Sequence, residues 1–234
     1  MRQSKHSLED SMAKKDVSKK NTKKQKSNDI LVIIVIAFFA LVIIGMIIIS
    51  KLPKKPIEAL FSTTAPVSGL TIGDPNAKVT VEEFADFQCP WCQYYVQEIE
   101  PSIISQYVET GQVYYKYIPL AFLGQESVDA AQASYCANDQ GKFWEYRAYL
   151  YTNHTGENVG DFTQDNLLAF AKSIDLDMDT FTTCLTTSAH AQDLADNDVY
   201  ASNAGMSYTP SFLVNGTLVS ANDLQAAIES ALAQ

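Results

Sequence analysis

The sequence has no charged residue from Ile30 to Ser50 and only five basic residues after position 55. Residues 56–234 hold those five basic residues and 23 acidic ones, which gives this region a net charge of −18. A region this acidic repels phosphate backbones and anionic lipid headgroups. The charge balance therefore argues against nucleic acid as a partner.

The uncharged stretch, ILVIIVIAFFALVIIGMIIIS, has the length of a membrane span. At about 1.5 Å per residue, a helix over residues 30–50 measures roughly 30 Å, the thickness of a bilayer's hydrocarbon core. A cleaved signal peptide has a shorter apolar region, of about 7–15 residues, which ends in small residues. Here KLPKKP follows the apolar run. The pattern predicts an uncleaved transmembrane anchor in a lipid bilayer.

The charges on the two sides of this stretch predict its orientation. Residues 1–29 carry nine basic residues and lack apolar periodicity, which is typical of a disordered tail, whereas only Lys51, Lys54 and Lys55 follow the span closely. The positive-inside rule then keeps residues 1–29 in the cytoplasm. Residues 51–66 are interpreted as a linker, and residues 67–234 as an extracytoplasmic domain of a single-pass cell-membrane protein. Disulfides persist in that compartment.

The pattern of residues 67–234 predicts one α/β domain without internal repeats. The predicted order is a strand at 78–87, a helix at 91–111 that Pro101 bends or divides, a strand at 112–122, a helical block at about 124–203, a hairpin around Asn215 and Gly216, and a final helix. The crossover between the first two strands implies a parallel pair, and the hairpin adds antiparallel strands. We expect a mixed sheet of four or five strands with an inserted helical subdomain.

Cys89 and Cys92 form a CxxC motif where the first strand gives way to the helix. Pro90 suits the first helical position, and Cys89 then lies near the unpaired N–H groups of the helix start. Such a position lowers a thiol pKa from about 8.5 to roughly 3.5–7.5. We predict that Cys89 is the attacking sulfur and Cys92 the resolving one. Trp91 offers a contact surface for unfolded chains, unless it only packs locally.

Two other interpretations of the CxxC motif are weaker. A metal site needs four ligands, but the next cysteine is 44 residues away, and His6, His154 and His190 are isolated in the sequence. We therefore expect no metal. A structural crosslink stays open, although so short a loop gains little entropy from closure. No flavin, haem or nucleotide motif is present, so no dissociable cofactor is expected.

Three segments, EFADFQCPWC, YCANDQGKFWEYRAYLY and GMSYTPSFLVNG, carry a family resemblance. Over residues 68–234 the chain resembles the membrane-anchored, extracytoplasmic branch of the bacterial DsbA-like thioredoxin-fold oxidoreductases. The resemblance implies a thioredoxin core with a helical insertion, with Cys89 as nucleophile and Cys92 as its partner. It also implies that Pro210 is a cis-proline facing the CxxC, so that the backbone of Thr209 can pair with a substrate strand.

The same resemblance assigns a role to Glu83, six residues before Cys89. It matches the family's acidic residue beneath the active site, where a buried carboxylate accepts the proton of Cys92 during exchange. Strand alternation separates Glu83 from Glu82 but does not decide which carboxylate points inward. Glu82 and Asp86 stay open as alternatives.

Cys136 and Cys184 lie in the helical block, without a proline or a basic neighbour in the sequence. An even pair outside the cytoplasm usually forms a disulfide, and relatives carry the same pair. Closing a loop of about 49 residues would stabilise the fold by on the order of 4 kcal/mol in the chain-entropy model. We interpret the pair as a structural disulfide; the alternative is a second redox relay.

The leading functional hypothesis is a membrane-tethered thiol–disulfide oxidoreductase. It would introduce disulfides into unfolded or reduced extracytoplasmic proteins through Cys89 and Cys92, and a membrane redox partner would reoxidise it. The second hypothesis is an isomerase or reductase kept reduced by a membrane donor. The third is a non-enzymatic binding module whose CxxC is a structural disulfide, which would resist exchange with glutathione.

Overall fold

The computed structural model describes residues 61–234 and, before them, only Val35, Ile36, Phe38 and Leu41. The predicted tail at 1–29, nearly all of the predicted anchor at 30–50 and most of the predicted linker lie outside the described residues. Among the residues that the structure describes, no helix combines the length and apolarity needed to cross a bilayer.

The domain is built on one mixed sheet of six strands. The strands are β1 (Val67–Ser68), β2 (Thr71–Ile72), β3 (Val79–Asp86), β4 (Val113–Leu120), β5 (Ser211–Val214) and β6 (Thr217–Ser220), in the spatial order β1-β2-β4-β3-β5-β6. Strands β3 and β4 are parallel, and every other pair is antiparallel. The mixed sheet is confirmed. The expected count of four or five strands was wrong, because β1 and β2 are too short to show any alternation.

Helix α1 begins at the CxxC and changes its winding along its length. It consists of α-helical Pro90–Tyr94, π-helical Tyr95–Ile99, α-helical Glu100–Ile103 and π-helical Ile104–Val108. Pro101 lies in the first turn of the third stretch. Proline has no N–H to donate, so the hydrogen-bond ladder is interrupted there, as the sequence predicts.

Five helices lie between β4 and β5, where the sequence predicts the helical block, and a sixth follows β6. They are α2 (Gln125–Asn138), α3 (Phe143–Asn153), α4 (Gln164–Ser173), α5 (Met178–Thr186), α6 (Ala191–Asn203) and, at the end, α7 (Leu224–Ala233). The turn from β5 to β6 has positive φ at both Asn215 (47°) and Gly216 (81°). These are the angles that make Asn-Gly a hairpin turn.

Both faces of the sheet are covered, so all four residues of β5 and six of the eight residues of β3 are buried. Val81 and Ala85 of β3 belong to the larger hydrophobic cluster, which includes α1. Phe84, on the opposite face of β3, packs with Leu213 and with Ala201 of α6. Alternation therefore directs Glu83, between Val81 and Ala85, towards the larger cluster.

The sheet register brings the CxxC and Pro210 to the same edge of the sheet. Strand β5 runs antiparallel to β3, with Ser211 opposite Phe84. The CxxC follows the last residues of β3, and Pro210 immediately precedes β5. The pairing of β3 with β5 therefore makes neighbours of two segments that are 120 residues apart in the sequence.

The end of the predicted linker is part of the folded domain. Phe61 stacks on Trp144 with ring centroids 5.1 Å apart, and the backbone N–H of Thr64 donates to Glu109 over 2.9 Å. The composition of residues 51–66 suggested a tether throughout. Phe61 and Ala65 instead pack against the hydrophobic core of the domain.

Cys136 of α2 and Cys184 of α5 form a disulfide, with the two Cα atoms 5.8 Å apart. Both residues are buried in the helical block. The bond therefore joins two helices of the insertion and lies away from the CxxC in sequence and in fold.

Candidate active site

Cys89 and Cys92 are both free thiols and both buried. Cys89 is the N-cap residue of α1, with φ −74° and ψ 118°, and Pro90 follows it inside the helix. The backbone N–H of Gln93 donates to the carbonyl of Cys89 over 3.0 Å, which is the first hydrogen bond of the helix. The strand-to-helix position predicted for Cys89 is therefore the one it occupies.

The two thiols differ sharply in acidity. A hydrogen bond from the Cys92 thiol is the main reason why the pKa of Cys89 falls to about 6, although burial opposes it. The Thr209 side chain and the backbone N–H groups of Cys92 and Trp91 lower the pKa further. Burial and the hydrogen bond to Cys89 raise the pKa of Cys92 well above its ordinary value. At neutral pH, Cys89 is therefore the thiolate and Cys92 keeps its proton.

The cause of the low pKa can be tested at Cys92. Replacing Cys92 with alanine removes the main hydrogen-bond donor, so the pKa of Cys89 should rise above its value of about 6. Cys92→Ser is the matched control, because its hydroxyl can still donate a hydrogen bond to Cys89. The pKa of Cys89 should rise less in this variant. The ultraviolet absorbance of the thiolate, followed against pH in the full chain, measures both. A pKa that stays at about 6 in both variants would show that the backbone N–H groups and Thr209 suffice.

Pro210 and Thr209 lie against the CxxC. The Thr209–Pro210 peptide bond is cis, and the Cys89 Sγ lies 3.4 Å from the carbonyl oxygen of Thr209, to which it donates only when it holds its proton. The resemblance placed a cis-proline opposite the CxxC, and the structure has this arrangement. Thr209 itself is buried, whereas its neighbour Tyr208 is half exposed.

Exposed aromatic side chains lie at and beside the CxxC. Trp91 is 70% exposed and meets Tyr94, which is 53% exposed, edge to face with ring centroids 6.2 Å apart. Phe122 and Tyr208, on the neighbouring loops, are also more than half exposed. Trp91 thus makes a local contact and still presents most of its surface to solvent. The role of Trp91 as a contact surface for unfolded chains stays a prediction.

Glu83 lies beneath the CxxC helix and is fully buried. Its Oε2 accepts hydrogen bonds from the Tyr115 hydroxyl over 2.8 Å and from the Arg147 Nη2 over 3.0 Å. Arg147 also donates to both carboxylate oxygens of Glu100, at 2.9 Å and 2.8 Å. One guanidinium therefore lies between two buried carboxylates, with its paired hydrogen bonds directed to Glu100.

Burial is the reason that Glu83 holds a proton at neutral pH. Burial raises the pKa of Glu83 to about 8, and Arg147 lowers it by less, while the charge of Glu100 raises it again. The Oε1 of Glu83 has no hydrogen-bond partner among the residues that the structure describes. The charge of Glu83 is also among the causes that raise the pKa of Cys92. Glu83 is thus a buried acid electrostatically coupled to Cys92.

The two alternatives to Glu83 have other surroundings. Glu82 points to the opposite face, where it pairs with Lys116 over 3.2 Å. Asp86 is fully buried too, but it accepts hydrogen bonds from the Ser127 hydroxyl over 2.6 Å and from the backbone of Gln88 over 2.8 Å. Asp86 therefore fixes the turn between β3 and the CxxC.

Sequence reasoning missed Arg147. It is fully buried in α3, and its guanidinium lies over the Tyr117 ring at 4.5 Å and the Trp144 ring at 5.1 Å. A signal was present: Arg147 is the one arginine after position 55, and it stands in the aromatic segment FWEYRAYLY. An arginine surrounded by aromatic residues in an acidic domain indicates a buried ion pair.

The loop before Cys89 is held by a second network that the sequence did not reveal. The Gln88 side chain donates to the Ser127 hydroxyl over 2.9 Å and accepts from the backbone N–H of Asn158 over 2.6 Å. Asn158 in turn donates to the carbonyl of Leu123 over 2.7 Å. These contacts tie the CxxC loop to the helical block.

The two histidines in the domain are not equally isolated. His154 is buried against Phe162, and neither ring nitrogen has a hydrogen-bond partner among the described residues. His190 was expected to be isolated, and that was wrong. Its ring lies beside the Cys136–Cys184 disulfide and contacts Asp139 and Asp193. The sequence does not reveal this cluster, because its members come from α2, α5 and the start of α6, which are far apart along the chain.

Comparison with known proteins agrees with this geometry. A family model described as thioredoxin matches residues 66–234. The chain belongs to the thioredoxin family. Within that family, residues 66–234 are similar to proteins named for disulfide bond formation, which agrees with the resemblance.

The relatives differ in overall length. A probable disulfide bond formation protein D of Bacillus cereus is 28% identical over 153 residues, which cover 63% of this chain and 70% of that protein. A Na⁺/H⁺ antiporter, NhaA 1, of Salinispora arenicola is 32% identical over 146 residues, 62% of this chain. The chain spans about a fifth (21%) of the length of the antiporters that it matches first.

Among solved structures, oxidised BdbD from Bacillus subtilis shares the fold. It superposes with a TM-score of 0.66 at 24% identity, over 74% of this chain and 98% of BdbD. The thioredoxin fold is therefore shown independently of the sequence pattern. The membrane-anchored part of the resemblance depends on residues outside the described range and stays a prediction.

Proposed function

We propose that this chain is an oxidase that donates the Cys89–Cys92 disulfide to reduced, unfolded proteins outside the cytoplasm. The observation that supports this direction is the low pKa of Cys89, about 6, beside the raised pKa of Cys92. A stabilised thiolate favours the reduced enzyme and so makes its disulfide a stronger oxidant. A reductase needs a more stable disulfide, and so a less stable thiolate.

The proposed reaction uses four sulfurs. A substrate thiolate attacks the Sγ of Cys89, the Cys89–Cys92 bond breaks, and Cys92 leaves with the electron pair. Glu83, protonated at neutral pH because its pKa is about 8, gives its proton to Cys92. A second thiolate of the same substrate then attacks the substrate sulfur that is bonded to Cys89. The bond to Cys89 breaks, and Cys89 leaves as a thiolate. The substrate gains one disulfide and the enzyme becomes a dithiol.

The surroundings of Cys89 suit an extended, partly apolar substrate segment. The exposed rings of Trp91, Tyr94, Phe122 and Tyr208 offer apolar contact area around it. The backbone beside Pro210 lies at the end of β5, next to the reacting sulfur, where a peptide can add as a strand. Unfolded proteins expose apolar side chains and free backbone, which folded proteins do not.

The redox equilibrium of the full chain in detergent with glutathione buffers tests the direction. Alkylation of free thiols followed by mass measurement gives the fraction of reduced Cys89–Cys92. We expect a potential near the oxidising end of the range of about −270 to −120 mV found for such dithiols. A potential near −270 mV, the value for thioredoxin, would instead indicate a reductase or isomerase. A bond that does not exchange would leave only the binding-module hypothesis.

Stability against pH gives an independent test. The folded pKa of Cys89 is lowered, so its thiolate stabilises the reduced fold above the ordinary thiol pKa, and this contribution is lost as pH falls through about 6. The reduced chain should therefore unfold at a higher denaturant concentration than the oxidised chain at pH 8, and the gap should narrow towards pH 5. A difference in stability between the reduced and the oxidised chain that does not depend on pH would show that the Cys89 thiolate is not what makes the disulfide oxidising.

We further propose that residues 30–50 tether the domain to the membrane, where a redox partner reoxidises it. The support is the length and the lack of charge of this stretch. Alkaline extraction of membranes from expressing cells should leave the full chain in the pellet. Four charged substitutions within residues 30–50 should release it. Full release of the unaltered chain would overturn the tether.

A further inference from the structure

The Cys136–Cys184 disulfide has an unusual setting. A sulfur of each cysteine and a ring nitrogen of His190 all lie within 4.8 Å of one another. The Asp139 Oδ2 lies 3.0 Å from the His190 Nε2 and 3.9 Å from the Cys184 Sγ. Three potential metal-binding side chains therefore converge at one place in the helical block, and Asp139 lies beside two of them.

We propose that, when this disulfide is reduced, Cys136, Cys184, His190 and Asp139 form a tetrahedral zinc site. Two thiolates, one imidazole and one carboxylate are ligand types that zinc accepts in protein sites. The disulfide and the metal are then alternative crosslinks of the same two helices, α2 and α5.

The surroundings of His190 fit this role. Its Nδ1 is 2.6 Å from the Oδ2 of Asp193, which leaves the Nε2, on the side of Asp139, as the ligand atom. A carboxylate on the second ring nitrogen is the usual outer partner of a zinc-binding histidine. Tyr135 stacks on the ring at 5.1 Å and holds its plane.

A metal ion can reach this site from solvent, and the separation of the two cysteines suits zinc. Cys136 and Cys184 are buried, whereas the Asp139 side chain is 46% exposed, so a metal ion has an entry path from solvent. Zinc–sulfur bonds of about 2.3 Å set two sulfurs on one tetrahedral metal about 3.8 Å apart. Side-chain rotation at Cα atoms 5.8 Å apart can supply that separation without moving α2 or α5.

The conversion balances with an external dithiol as reductant. The dithiol becomes a disulfide and transfers two electrons and two protons to the Cys136–Cys184 bond, which gives two thiols. Zinc binding then displaces both thiol protons to solvent. Metal bound in this way would hold α2 against α5 and keep both thiolates from attacking the Cys89–Cys92 disulfide.

Cobalt is a direct probe of this site. The full chain with Cys89→Ser and Cys92→Ser is purified in detergent, reduced with a phosphine, and titrated with Co²⁺ without oxygen. We expect thiolate-to-cobalt absorption that saturates at one equivalent and disappears when Zn²⁺ is added. The chain with Cys136→Ser and Cys184→Ser in addition should show none. No absorption in the reduced chain would overturn the proposal.

Variants of the other ligands separate this site from adventitious binding. His190→Ala and Asp139→Ala should each weaken Co²⁺ binding at least tenfold, and Asp193→Asn by about ten- to a hundredfold, as outer partners do. Asp179→Asn, which alters an exposed carboxylate on the same helix as Cys184, is the matched control and should change nothing. Binding that is unaffected by His190→Ala would place the metal elsewhere.

Thermal unfolding tests the proposal even where reduction of the Cys136–Cys184 disulfide destabilises the fold. Zn²⁺ should raise the unfolding temperature of the reduced chain with Cys89→Ser and Cys92→Ser and leave that of its disulfide-bonded form unchanged, because the two sulfurs of a disulfide do not bind zinc. A rise in both forms would assign the effect to another site and overturn the proposal.

Discussion

Replacing Cys89 with serine should abolish disulfide exchange, lowering its rate with a reduced model peptide by about a thousandfold or more, the scale on which enzymes lose their nucleophile. A serine hydroxyl keeps its proton at neutral pH and forms no bond to sulfur that exchange can break. Cys89 also carries the thiolate, because its pKa is about 6. The measurement is the rate of disulfide formation in the peptide in glutathione buffer.

Two companion variants sharpen this test. Cys92→Ser keeps the Cys89 thiolate but cannot close the Cys89–Cys92 bond, so a mixed disulfide of Cys89 with glutathione should accumulate and be visible by mass. Cys136→Ser with Cys184→Ser should keep the exchange rate within a few fold, because that disulfide joins α2 to α5 away from the CxxC. If Cys89→Ser still exchanged and the double variant did not, the second redox relay would be the correct interpretation.

The parts of this site that the sequence predicts depend on local signals. Pro90 after Cys89 marks a helix start at a strand end, and this needs only four consecutive residues. Alternation of apolar residues along β3 is equally local. The partnership of Pro210 with the CxxC is not local, and only the family resemblance made it predictable.

The parts that the sequence does not predict join residues far apart in the chain. Arg147 reaches Glu100 across 47 residues and Glu83 across 64, and His190 reaches Asp139 across 51. No spacing rule connects such residues, because the packing of whole helices sets their distances. Alternation could place Glu83 on one face of β3, but only the position of Arg147 shows how its charge is balanced.

The largest effect on stability is expected at Arg147. Arg147→Met fills a similar volume but leaves Glu83 and Glu100 buried without their cation. Removing one partner of a buried ion pair costs about 3–5 kcal/mol of unfolding free energy. Denaturant unfolding of the oxidised full chain at pH 7 measures the loss. Lys142→Met, which breaks an exposed pair with Glu145 in the same helix, should cost under about 1 kcal/mol.

A second substitution and pH distinguish the role of charge from packing. Glu100→Gln added to Arg147→Met removes one of the stranded charges and should recover part of the loss, whereas Glu100→Gln alone should destabilise.

The folded pKa of Glu83 is raised to about 8, so its contribution to stability is complete below its ordinary pKa and is lost as pH rises through about 8. Without Arg147 that pKa rises further, so the cost of Arg147→Met should stay level while Glu83 is protonated in both chains and should grow between pH 7 and pH 9. A cost that is equal at both pH values would assign the role of Arg147 to its stacking on Tyr117 and Trp144, and Glu83 would then not depend on Arg147 for its acidity.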